Sequence, residues 1–255
     1  MMRLIDTHCH FDDVSFDPDR QDLLRFMRQI GVSDLIVPAI TALAWPAVEA
    51  ICATDRGLHA AYGLHPIYLA KHCENDLYLL EKRLTKGGAI AVGECGLDYF
   101  VPELTIEAQT DFFVAQLRLA KQFDLPVIIH ARRSVDHVIK QIRRVGGLRG
   151  VVHSFSGSRQ QAEILFQQGF LLGVGGTVTY ERAQRLRRVV AQMPAEALLL
   201  ETDAPDQPDA AWRGKRNDPL RLPVIAATVA ELRGVTLQQL AAFTTANAQR
   251  LFGID

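Results

Sequence analysis

Ile5-Asp6-Thr7-His8-Cys9-His10-Phe11 closes a short apolar run that begins the chain. Alternate residues of a strand share a face, so His8 and His10 point one way and Cys9 the other. Two imidazoles side by side at the mouth of a strand are the beginning of a metal site. Whether they are more depends on what arrives at the ends of other strands. Seven more strand candidates follow: Leu35–Ala39, Leu58–Gly63, Ala89–Gly93, Val127–His130, Val151–His153, Phe170–Val174 and Leu198–Thr202. Most are continuously apolar, as parallel strands covered on both faces are.

Helix patterns lie between these runs. Leu23, Leu24, Met27 and Ile30 share a helical face that stops at Gly31, and Val135, Val138, Ile139 and Ile142 repeat the device before Gly146-Gly147. Phe112, Phe113, Leu117 and Ala120 form another such face ahead of Pro126. Strand and helix alternating eight times predicts a (β/α)8 TIM barrel, and 255 residues suit one such domain, 1–255. An open doubly wound sheet is the alternative, but no Gly-x-Gly-x-x-Gly follows the first strand. Beyond the last strand, a polar stretch from Ala204 to Pro219 leads to two extra helices. One carries Val224, Ile225 and Leu232; the other opens at Thr236, with Gln239 placed for a capping box.

Composition narrows the function classes. Lys and Arg number 28 against 29 Asp and Glu, so no global basic field advertises nucleic acid. No apolar run reaches membrane-span length, and nothing points to an obligate protein partner. The four cysteines, Cys9, Cys52, Cys73 and Cys95, show no close pairing, so a reducing cytoplasm is the expected compartment.

Polar residues recur where the apolar runs stop. Glu94 ends the fourth, His130 the fifth, His153 the sixth and Asp203 the eighth. Each alone has a bland reading as a cap, an ion pair or a satisfied core imidazole. Together with His8 and His10 they place four imidazoles and two carboxylates at one end of the barrel, where such folds carry catalysis. Six such groups are hard to satisfy without a cation.

With those residues in view, the chain resembles the TatD-related metal-dependent hydrolases, a deoxyribonuclease family among the amidohydrolase-like barrels. The segments that carry the resemblance are Ile5–His10, Gly63-Leu-His-Pro66, Gly93-Glu-Cys-Gly-Leu-Asp-Tyr99, Pro126–His130, His153-Ser-Phe-Ser-Gly157, Glu201-Thr-Asp-Ala-Pro205 and Arg216–Pro219. The resemblance implies two divalent ions per chain: His8, His10, Glu94 and Asp203 around one, and Glu94, His130 and His153 around the other. Glu94 would bridge them, its charge offsetting the repulsion of two dications about 3.5–4 Å apart. Imidazole with carboxylate suits Zn, Mn or Co more than an all-oxygen Mg site and does not choose among them. Asp203, beside the attacking water, would serve as general base. DNA, or another phosphodiester, is the substrate the family implies, with His65 as a substrate contact. A small-molecule amide or phosphate ester is the alternative.

Secondary features complete the reading. Arg132 and Arg133, and Arg213, Lys215 and Arg216, are expected at the catalytic rim, with Arg133 as a substrate-binding residue. Arg182, Arg185, Arg187 and Arg188 read as a solvated helix face. Asp98 is a candidate to support a ligating imidazole. Gly173, Gly175 and Gly176 could admit a phosphate to backbone amides, against a plain turn. The chain departs from the family at Asp206 and Asp209, two acids that would sit near the pocket and disfavour a long polyanion.

Overall fold

The computed structural model describes residues 2–255. Eight parallel strands pair in chain order: β1 (Leu4–Asp6), β2 (Val32–Pro38), β3 (Leu58–Tyr62), β4 (Ala91–Asp98), β5 (Val127–Arg132), β6 (Gly150–Val152), β7 (Phe170–Val174) and β8 (Leu198–Leu200). The seam between first and last strands is drawn together by Thr7, whose backbone N–H and hydroxyl both donate to Leu200 O at 3.0 Å. The result is a nearly closed barrel. Seven helices lie between consecutive strands: α1 (Arg20–Gln29), α2 (Trp45–Cys52), α3 (Glu74–Thr85), α4 (Ile106–Gln122), α5 (Val135–Val145), α6 (Arg159–Gln167) and α7 (Gln184–Gln192). After β8 come α8 (Leu222–Arg233) and α9 (Leu237–Phe252).

Two cores hold this together. The larger lies between the sheet and its helices. The smaller fills the barrel itself, with one residue from each strand: Ile5, Ile36, Ala61, Ala91, Ile128, Val151, Leu171 and Leu199. Ala248, Leu251 and Phe252 of α9 pack onto that layer. Thr245 donates to Arg3 O and Asn247 to Leu198 O, both at strand beginnings, so α9 stoppers the N-terminal end. The opposite end is left for the polar groups. α9 opens as its sequence predicts, Thr236 Oγ1 accepting from Gln239 N while Gln239 returns a bond to Thr236 N. Thr236→Ala should cost about 1 kcal/mol of stability; an unchanged thermal midpoint would show that α9 is held by packing alone.

Two strands run further than their apolar stretches. β4 continues past Glu94 to Asp98 because Cys95, Gly96, Leu97 and Asp98 pair with Ile129 to Arg132, after a register shift between Val92 and Cys95. Glu94 and His130 are therefore carried within strands rather than at their last residues. Among the described residues, no helix is long and apolar enough to cross a membrane.

Candidate active site

Glu94 lies at the centre of the C-terminal end, almost fully buried, and its two oxygens face two different groups. Oε2 is 3.2 Å from His8 Nε2 and 3.5 Å from His10 Nε2. The same two nitrogens lie 3.4 and 3.7 Å from Asp203 Oδ1. Oε1 is 2.8 Å from His153 Nε2, 3.0 Å from His65 Nε2 and 3.3 Å from His130 Nδ1. All six residues singled out from the sequence thus meet around one carboxylate, and His65 joins them.

The hydrogen bonds behind each ring decide which nitrogens are left with lone pairs. His10 Nδ1 lies 3.2 Å from Pro38 O, a carbonyl that can only accept, so Nδ1 carries the proton and Nε2 faces inward bare. His130 Nε2 donates to Asp98 Oδ2 at 2.9 Å, leaving Nδ1 toward Glu94. Burial would raise the Asp98 carboxyl, but the bonds from His130 and from Phe100 N outweigh it and keep it ionised. His65 is the reverse case. Its Nδ1 accepts from Ile67 N at 3.1 Å, so in the neutral ring Nε2 holds the proton and donates to Glu94. His65 is built as a donor, not as a ligand.

The donor set fits metal ions. His8 is fully buried, and neither of its ring nitrogens has a hydrogen-bond partner. Burial lowers its pKa to about 4, leaving a neutral ring stacked on His153 with centroids 4.0 Å apart. His130 Nδ1 and His153 Nε2 are 3.2 Å apart, both directed at Glu94 Oε1. Burial pulls His153 down, but Glu94 and Asp203 prevail and carry it up to about 10. A cation is called for at that point, and without an ion a proton supplies it. The groups His8/His10/Glu94, His65/Glu94/His130 and His8/His153/Glu201 each bring donor atoms within 4.8 Å of one another. The tautomer of His65 removes it from the second of these as a ligand.

Asp98→Asn would leave His130 hydrogen-bonded but without its charged partner. The expected result is a loss of about 10–100-fold in metal affinity with the fold intact, measured by competition with a chelator. Unchanged affinity would make the Asp98–His130 bond a purely structural one.

Asp203 has φ 58°, and its neighbours at this end, Ser154 and Gln207, are also left-handed at 45° and 47°. Non-glycine residues held there cost energy and cluster at working sites. Gln207 Nε2 donates to Asp203 Oδ2 and, at 2.7 Å, to Ser154 Oγ, which fixes the plane of the carboxylate. Glu201 is fully buried on the far side of His153, accepting from Ser154 N at 2.6 Å, with Oε1 3.8 Å from His153 Nδ1. Burial raises its pKa to about 8. Asp6, also fully buried, accepts from Thr202 N at 2.9 Å and from its hydroxyl at 2.6 Å, tying β1 to the residue before Asp203.

Several expectations need correction. Gly173 serves Glu201 rather than a phosphate: a Cβ there would lie 2.1 Å from Glu201 Oε2. Gly176 passes beneath Gln207 O, 2.3 Å from where its Cβ would be. The active-site cavity, of about 880 Å³, is lined by Arg132 but not by Arg133, although both guanidiniums stack on Phe100. Arg213, Lys215 and Arg216 also stand outside the lining, and Arg216 is paired with Asp19 at 2.9 Å. Arg182 and Arg185 do line it, although their sequence reads as a solvated helix face. The reason is that α7 begins only at Gln184, so Arg182 lies in the loop before it and Arg185 in its first turn. Of the two departing acids, Asp206 lines the cavity, whereas Asp209 is buried against Arg221 at 2.7 Å.

The barrel gathers imidazoles and carboxylates able to hold metal around a buried glutamate, and its relatives make it a metal-dependent hydrolase. The chain belongs to the TatD related DNase family, whose pattern matches residues 5–253. It is 43% identical over 255 residues to the metal-dependent hydrolase YjjV of Escherichia coli K12, covering 99% of this chain and 98% of that protein. It is also 32% identical over 263 residues to the 3'-5' ssDNA/RNA exonuclease TatD of Erwinia amylovora, covering 98% and 100%. The crystal structure of YjjV superposes with a TM-score of 0.95 at 41% identity, covering 100% of this chain and 99% of that one. An amidohydrolase of Saccharomyces cerevisiae, at TM-score 0.85 and 20% identity, shares the fold.

Proposed function

We propose that the chain hydrolyses phosphodiester bonds in DNA with two divalent ions bound on either side of Glu94. The observation that carries this is the division of the donors: His8, His10 and Asp203 face Oε2, while His130 and His153 face Oε1. His8, His10, Glu94 and Asp203 would hold one ion, and Glu94, His130 and His153 the other. When bound, such a pair lowers the pKa of water and takes up charge that develops on the phosphoryl oxygens. The remaining work falls to the chain. Asp203, its carboxylate held by Gln207, takes the proton of the attacking water. His65 Nε2 holds its proton beside Glu94 Oε1, ready to donate to a substrate oxygen. Arg132, beside the cavity, attracts the phosphate. The relative named as a single-stranded DNA and RNA exonuclease supports this substrate class. The four free cysteines are in keeping with a reducing cytoplasm.

A second reading has one observation in its favour. Asp12, Asp13 and Asp206 line the cavity, and acids repel a long polyanion, so a small phosphate ester or amide is the competing substrate. A panel of single-stranded DNA, duplex DNA, RNA, a phosphomonoester and an amide, run with Mn, Mg and Zn, separates the two. Cleavage of DNA that weakens as salt rises is expected. Turnover of the amide or monoester alone, indifferent to salt, would overturn the nuclease reading.

A further inference from the structure

The cavity wall is divided by charge. Asp12 and Asp13 follow β1 and Asp206 follows β8, which are neighbouring strands across the seam. Burial, with Asp203 and Asp13 nearby, raises the Asp206 carboxyl, and burial beside Asp206, Glu94 and Asp13 raises the Tyr68 phenol. Arg132 leaves β5, while Arg182 and Arg185 follow β7, so the cations occupy another sector of the rim. All three arginines are exposed and none has a carboxylate partner among the described residues. Arg185 donates only to Ser156 O, and Arg182 and Arg132 rest over the rings of Tyr180 and Phe100. Ser154, Ser156 and Thr177 also line the cavity, Ser156 against Arg185. With about 880 Å³ of space, the cavity is at the upper end of ligand pockets and holds more than one phosphate group.

We propose that Arg182 and Arg185, with Arg132, form a subsite for a second phosphate, the one next to the scissile diester, and that the acidic sector admits the uncharged side of the substrate. This rests on the phosphodiesterase reading of the site and goes beyond it by giving the substrate a direction. The polyanion leaves the cavity over α7, and the acidic sector accepts a nucleoside without a further phosphate. Guanidiniums suit this task because each offers a planar fork of donors to phosphate oxygens. Aspartates in the adjoining sector add discrimination, since a phosphate placed beside them meets like charge.

The test compares thymidine dinucleotides joined by a phosphorothioate: one with no further phosphate, one with a 5'-phosphate and one with a 3'-phosphate. Binding to the metal-loaded protein is measured by calorimetry, and hydrolysis of the matching phosphodiesters separately. One end phosphate, but not the other, is expected to tighten binding about tenfold, the scale of one charge-assisted contact. R182Q should abolish that gain, whereas R188Q, which removes a nearby α7 charge that does not line the cavity, should keep it. Equal gains from both phosphates, no gain from either, or a gain that survives R182Q would overturn the subsite. A gain that depends on Arg182 without any hydrolysis would leave the subsite standing and remove the phosphodiesterase reading instead.

Discussion

Glu94→Gln is expected to abolish activity, lowering turnover by at least 10²–10³-fold, the scale on which groups that meet developing charge act. It should also reduce the bound metal to at most one ion per chain. The side chain is almost fully buried and shares its oxygens among His8, His10, His65, His130 and His153. Burial alone would push its carboxyl up, but His65, His153 and His8 hold it well below the usual carboxylate range, so it is an anion at every working pH. Glutamine keeps the volume and loses the charge. Its NH2 would also offer no lone pair to an ion on one of the two sides. Metal content by atomic spectroscopy, read beside turnover, checks both halves. A variant that retains two ions and full activity would show that Glu94 does not join the two groups.

Asp203→Asn should separate chemistry from metal binding. The variant is expected to keep its metal at saturating concentration while turnover falls by about 10²–10⁴-fold, the usual contribution of a general base. Asparagine preserves the carbonyl oxygen toward His8 and His10, and it can still meet Gln207 after an amide flip. It cannot accept the water's proton. The left-handed backbone at φ 58° also tolerates asparagine well, so loss of fold would not confuse the result. Full turnover in this variant would exclude Asp203 as the base.

Much of this site is legible in the chain because barrel strands carry their working residues at predictable places. His8 and His10 stand just past β1, which ends at Asp6 rather than reaching them, and His153 and Asp203 stand past β6 and β8. Asp98 is four residues beyond Glu94 on one strand, so its support of His130 needs only β4 and β5 to be neighbours. What stays hidden depends on tertiary contact. Glu201 looks like the end of an apolar run, and only the space beside Gly173 reveals a buried carboxylate behind His153. A glycine inside the otherwise apolar β7 is the one local sign of that close approach. The arginines are hidden for a different reason. Helical periodicity does not locate the start of α7, and so does not show that Arg182 precedes the helix and, though exposed, lines the cavity. Arg213, Lys215 and Arg216 follow Asp203 in the chain, which places them near the rim, but loop position does not show that Arg216 turns back to Asp19.

The division of donors around Glu94 is tested most directly by anomalous scattering from a crystal grown with Mn or Zn. Two peaks about 3.5–4 Å apart are expected, one against His8, His10 and Asp203 and the other against His130 and His153, with a Glu94 oxygen on each. A single peak, or peaks out of reach of the Glu94 carboxylate, would contradict the two-ion site.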